Sequence, residues 1–141
     1  MEVTLLSLAD FAAEFVAALP KAEGQRAHLV GLRGDLGAGK TTFVQEVAKL
    51  LGADTPTSPT FVFAQRYATT HPIFRSLIHI DGYRLQSGEA HTIGFTEFLK
   101  DPKNLMLVEW PERLGADFPP EAPILDFVVT GEDTRSITYA K

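Results

Sequence analysis

The 141-residue chain contains no cysteine. That excludes a disulfide scaffold and thiolate metal sites, and it fits a reducing compartment. No apolar run reaches the ~18 residues that a membrane-crossing helix needs. Met1-Glu2-Val3-Thr4 lacks the basic start of a secretory signal, and no cleavage-site pattern follows an apolar stretch, so the expectation is a cytoplasmic protein without a membrane partner. Clustered positive charge is also missing. The 13 lysines and arginines are scattered among 18 acidic residues, for a net charge of −5 and a pI of about 5.3. A domain that grips nucleic acid by itself shows a basic patch. Contact with RNA or DNA is therefore expected only through another subunit. Repeats, low-complexity stretches and linkers are absent. A hydrophobic content of 45% and a charged content of 22% are ordinary for a globular protein. The length suits one domain with a real core, expected over residues 1–141.

What is present begins at residue 34. Gly34-Asp35-Leu36-Gly37-Ala38-Gly39-Lys40-Thr41 has the form G-x-x-x-x-G-K-S/T, the phosphate-binding P-loop. Its glycines let the backbone curl so that successive N–H groups point at phosphates. Lys40 supplies a point charge to the β- and γ-phosphates, and the Thr41 hydroxyl is placed as a Mg²⁺ ligand. The setting agrees. Residues 27–32 read as a short buried strand, and residues 41–51 read as a helix with Val44, Val47, Ala48 and Leu51 on one face, closed by Gly52. Strand, loop and helix in that order are what the motif requires, and they imply a nucleoside triphosphate with magnesium.

The rest of the chain follows the same grammar. Residues 3–6 read as a short strand. Ser7 and Asp10 fit a capping box ahead of a helix whose apolar face is Leu8, Phe11, Ala12, Phe15, Val16 and Leu19, ended by Pro20. Strands are expected at 61–67, 77–80 and 105–108, a helix interrupted near Gly94 at 87–99, and a terminal hairpin from 124–130 and 136–139 around Gly131-Glu132-Asp133. Short strands alternating with helices predict an α/β fold, P-loop NTPase-like and three-layered, with a mainly parallel central sheet and a C-terminal antiparallel hairpin. Ligands of such sheets sit at the carboxyl ends of the strands. That rule selects Asp81 and Glu109, which both follow apolar runs, as candidates to hold Mg²⁺ or its waters and to polarise an attacking water. The residues alone do not say which acid does which. Ser58-Pro59-Thr60 sits where switch loops present hydroxyls to a γ-phosphate or metal. Trp110 either stacks on a partner or a base, or covers the edge of the core. His79, inside an apolar strand, reads as a hydrogen-bonded core histidine. Arg84, beside Tyr83, positions the loop after Asp81, pairs with a surface acid or acts as an arginine finger in cis.

Together these blocks are specific. Residues 34–42, then Ser58-Pro59-Thr60-Phe61, then His79-Ile80-Asp81-Gly82-Tyr83-Arg84-Leu85, then Val108-Glu109-Trp110-Pro111-Glu112 resemble the TsaE (YjeE) family of small bacterial ATPases required for threonylcarbamoyladenosine modification of tRNA. The resemblance implies weak ATP hydrolysis alone and action with TsaD and TsaB, the partners that carry the transfer and hold the tRNA. It implies that Gly37, Ala38, Gly39, Lys40, Thr41 and Thr42 hold ATP, that Thr41 and Glu109 hold Mg, and that Ser58 and Thr60 belong to a switch. Thr42, Asp81 and Trp110 match positions important for function. Arg135 falls where the family places a basic residue near the nucleotide. Residues 87–94 depart from the family, being shorter and less acidic than its usual stretch. Two other classes share the loop. A small-molecule kinase needs an acceptor pocket and usually an Arg-rich lid, for which there is little room. A GTPase-type switch reads guanine through Asn-Lys-x-Asp, which the chain lacks.

Overall fold

The short apolar runs become the centre of a seven-stranded sheet. In the computed structural model the described residues are 2–4 (backbone only), 7–35, 37–53, 64–83 and 94–139. The strands are β1 (Glu2–Thr4), β2 (His28–Gly34), β3 (Ala64–Ala68), β4 (Ser76–Asp81), β5 (Asn104–Glu109), β6 (Ile124–Val129) and β7 (Thr134–Tyr139), in the spatial order β1-β7-β6-β2-β5-β4-β3. The middle four, β6, β2, β5 and β4, run parallel. β3 is antiparallel to β4, and β7 and β1 are added antiparallel beyond β6. All six residues of β5 are buried, as expected of a strand covered on both faces.

Alternation along the strands builds two cores. Val30, Leu32, Leu77, Leu105 and Leu107 face α1 (Leu8–Ala17) and α2 (Lys40–Leu50), while Leu29, Ile78, Ile80, Met106 and Val108 face α3 (Phe95–Leu99) and the 3-10 helix Pro111–Asp117. The three layers are those expected. Phe43 joins the first core together. Fully buried on α2, it meets Phe11 and Phe15 of α1 at ring-centroid distances of 5.7 and 5.3 Å and Phe127 of β6 at 5.6 Å, all edge-on. Burying such a ring contributes roughly 1.5–3 kcal/mol, and it fixes the first turn of α2 near Lys40. The far end of α2 closes as a Schellman motif: Gly52 takes φ +72°, its N–H bonds the Lys49 carbonyl at 3.1 Å, and the Ala53 N–H bonds the Ala48 carbonyl at 2.9 Å.

Some expectations need correction. The apolar face of α1 is as read, but the capping box is not formed. Ser7 has φ −93° and ψ 4° rather than extended backbone, and among the described residues no side-chain bond caps the helix. The Ser7 carbonyl instead accepts from the Asp10 and Phe11 N–H groups at 3.1 and 3.2 Å. The expected helix at 87–99 is seen as α3 alone, starting from Gly94 at φ +71°, and residues 87–93 lie outside the described residues. β3 runs to Ala68, with 61–63 likewise outside, and β7 begins at Thr134 rather than Ser136. Among the described residues no helix is long and apolar enough to cross a membrane.

Candidate functional site

The connection from β2 to α2 is the candidate site. Gly37 and Gly39 take φ +81° and +98°, the left-handed region that side chains disfavour. Gly39 is the N-cap of α2, and among the described residues no side chain caps that helix. The end of a helix left in this way is suited to an anion. Lys40 opens α2 at only 4% exposure. Its ammonium donates to the Gly34 carbonyl and lies 3.8 Å from the centroid of the Trp110 ring. Burial lowers its pKa below the ordinary lysine value, while Glu109, Glu112, Asp81 and Asp35 pull it back up.

Two parallel strands deliver the acids. Asp81 and Glu109 are register partners at the carboxyl ends of β4 and β5. Glu109 is buried, and its two carboxylate oxygens accept from the Thr41 hydroxyl at 3.2 and 3.0 Å. His79 Nε2 lies 2.5 Å from Glu109 Oε2. Asp81 is exposed, and its Oδ1 accepts the Tyr83 N–H at 3.1 Å. Trp110 holds a left-handed backbone at φ 59° and ψ 53°, rare for a residue with a side chain, and its N–H bonds the Leu32 carbonyl of β2 at 3.1 Å. Such strain persists where the surroundings over-determine it. Here Lys40 lies against the indole, and the Tyr83 ring lies 5.0 Å from it at 56°.

Arg135 arrives from the other end of the chain. On β7, at 7% exposure, its guanidinium donates to the carbonyls of Gly131 at 3.2 Å and Thr134 at 2.8 Å, and to that of Gly37 at 3.1 Å. Its Nε is, among the described residues, the buried side-chain polar atom without a partner. Gly37, Gly39, Lys40, Thr41, Thr42, Glu109 and Arg135 line one cleft of about 230 Å³, and Ala38 is buried beneath the loop. A larger cavity of about 370 Å³ lies between α1 and the β6–β7 hairpin, but its walls are chiefly apolar, with Phe11, Phe15, Leu125 and Ile137 among them. The polar groups converge on the smaller cleft. Ser58, Thr60 and Arg84 lie outside the described residues.

The donor set suits phosphate and magnesium. Among the described residues a Cβ at Gly37 would meet nothing within 4 Å. Thr41 and Glu109 offer hard oxygen donors side by side, and Arg135 lines the same cleft, its buried Nε without a partner among the described residues. Among the described residues no three His, Asp or Glu side chains gather into a metal cage. Mg²⁺ needs none, since one or two protein oxygens with phosphate and water complete its shell. The sequence reads His79 as a hydrogen-bonded core histidine; it is hydrogen-bonded, and its partner is Glu109, which no pattern in the sequence states. The one signal in the sequence is its position two residues before Asp81, on the same strand face.

Comparison with known proteins places the chain in a family. The family model described as "Threonylcarbamoyl adenosine biosynthesis protein TsaE" matches residues 6–137. A tRNA threonylcarbamoyladenosine biosynthesis protein TsaE from Bacillus subtilis is 33% identical over 125 residues, covering 88% of this chain and 76% of that protein. The protein of the same name from Aquifex aeolicus is 38% identical over 112 residues, covering 77% and 74%. That from Haemophilus influenzae is 32% identical over 133 residues, covering 93% and 81%. The crystal structure of Bacillus subtilis YdiB superposes with a TM-score of 0.68 at 26% identity, covering 99% of this chain and 83% of that one. With the family model matched over nearly the whole chain and relatives above 30% identity, the chain belongs to the TsaE family of threonylcarbamoyl adenosine biosynthesis proteins.

Proposed function

We propose that this chain is a magnesium-dependent ATPase, weak alone, that supports threonylcarbamoyladenosine modification of tRNA by acting on a TsaD–TsaB partner complex. The observation that carries the nucleotide reading is the convergence of Lys40, Thr41, Glu109 and Arg135 on one cleft at the carboxyl ends of the parallel strands. Family membership supports the tRNA-modification role. The acidic charge balance supports an indirect relation to tRNA, with the partners holding it.

In this reading the backbone of residues 37–42 cradles the phosphates, and Lys40 leaves the Gly34 carbonyl and the Trp110 face to meet them. Thr41 and Glu109 hold the Mg²⁺ or its waters; when bound, the ion offsets phosphate charge as the γ-phosphoryl is transferred to water. The two acids divide the work by environment. Glu109 is buried and already committed to Thr41 and His79. Asp81 is exposed beside it, with one oxygen engaged by the Tyr83 N–H, and is the group that orients the attacking water. Arg135 ties the loop at Gly37 and supplies further positive charge to the cleft. Ser58 and Thr60 are proposed as switch hydroxyls, with Tyr83, Arg84 and Trp110 as groups facing the partner.

ATP is favoured over GTP because Asn-Lys-x-Asp is absent from the chain. A thermal-shift comparison tests this. At about 100 times Kd a bound nucleotide adds about 2.7 kcal/mol of stability. ATP with Mg²⁺ is expected to raise the melting temperature and GTP to leave it nearly unchanged. A shift with GTP only overturns the assignment, and rapid phosphate transfer to a metabolite would favour a kinase instead.

A further inference from the structure

His79 occupies a place where an apolar residue would serve the fold better. On β4 it points to the same face as Leu77, and its register partner on β5 is Leu107. Both leucines are completely buried in the core under α1 and α2. An imidazole there leaves a polar group to be satisfied. Its side chain is 11% exposed, and its Nε2 reaches diagonally along the sheet to Glu109 Oε2 at 2.5 Å. Glu109 itself is 6% exposed at the side chain, and among the described residues no lysine or arginine pairs with it. Its partners there are the Thr41 hydroxyl and His79. An ionised carboxylate only accepts, so the shared proton belongs to Nε2.

We infer that His79 is a positioning residue for the metal-holding pair Thr41 and Glu109: its Nε2–H fixes the Glu109 carboxylate so that the carboxylate faces the Thr41 hydroxyl at the start of α2. The inference rests on the nucleotide reading above. It assigns His79 no contact with nucleotide and no part in proton transfer. Its effect passes through the orientation of Glu109, as for partners that hold metal ligands in place.

The test separates metal from nucleotide. ADP affinity is measured by calorimetry, with Mg²⁺ titrated and with EDTA, for the full-length wild type, His79→Leu and His79→Gln. Glutamine places its amide nitrogen where Nε2 sits. His79→Asn, polar but too short to reach Glu109, stands in if the leucine variant does not fold. His79→Leu is expected to need about tenfold more Mg²⁺ or greater for the same tightening of ADP, with its EDTA affinity unchanged and with His79→Gln restoring most of the loss. An unchanged Mg²⁺ requirement in His79→Leu or His79→Asn overturns the inference, as does an equal loss in EDTA or a glutamine variant as weak as leucine. Those outcomes leave the nucleotide reading standing. A wild type that binds no ADP under either condition overturns both.

Discussion

At Lys40 burial and binding pull in opposite directions. The ammonium is 4% exposed, and its pKa is lowered by that burial. The folded protein therefore carries a charge that the interior disfavours, held by the Gly34 carbonyl and the Trp110 ring. Activity and stability trade against each other at such positions. Lys40→Met is expected to abolish the melting shift given by ATP with Mg²⁺ while leaving the nucleotide-free protein at least as stable as wild type. The chain has a single tryptophan, so its emission reports on this site. Nucleotide should change that emission in the wild type as Lys40 leaves the indole, and should not change it in Lys40→Met. A variant that still shifts with ATP would refute the site. The residues of this site differed in how far they could be read in advance. Lys40 and Thr41 stand in a contiguous motif. Arg135 is 98 residues from Gly37, and no local pattern states that they touch.

Elements were legible where their signal is periodic. The apolar stripe of α1, the buried β2, β4 and β5, and the Gly52 stop of α2 all follow from spacing within one segment. Phe43 falls on the stripe of α2 by its spacing, four residues before Val47 and eight before Leu51, but that its ring meets α1 and β6 is set by tertiary packing. Pairing of β1 with β7 and of β6 with β2 was equally invisible, since register between distant strands is a property of the assembled sheet. The Schellman closure yields a prediction at this scale. A Cβ at Gly52 would lie 2.3 Å from Thr70 Oγ1 on a backbone at φ +72°. Gly52→Ala is expected to cost about 1–3 kcal/mol in denaturant unfolding, with ATP affinity unchanged because the opposite end of α2 forms the site. An unaffected stability would show that Thr70 yields freely.

The whole molecule should weaken in acid. Burial lowers the pKa of His28 from 6.5, and burial followed by Lys21 lowers that of His71. His71 Nδ1 also accepts the Ile73 and Phe74 N–H groups, both at 3.1 Å, which requires a neutral nitrogen. Below 6.5 the unfolded chain takes up protons that the folded chain refuses, so stability falls as pH drops until the folded-state values are passed. The melting temperature is expected to decline between about pH 7 and about pH 5, and to decline less in a His28→Gln, His71→Asn variant. An equal decline would assign the effect to the carboxylates. In the proposed reading the chain supplies a phosphate cleft with acids to hold metal and water, and its sequence has a net charge of −5 rather than the basic balance that tRNA favours. The most direct measurement is ATP turnover with Mg²⁺ by wild type and Lys40→Ala, alone and with TsaD and TsaB under conditions where the partners assemble. The expected result is slow turnover alone, a changed rate with both partners, and none from Lys40→Ala. A rate indifferent to the partners, or unaffected by loss of Lys40, would contradict it.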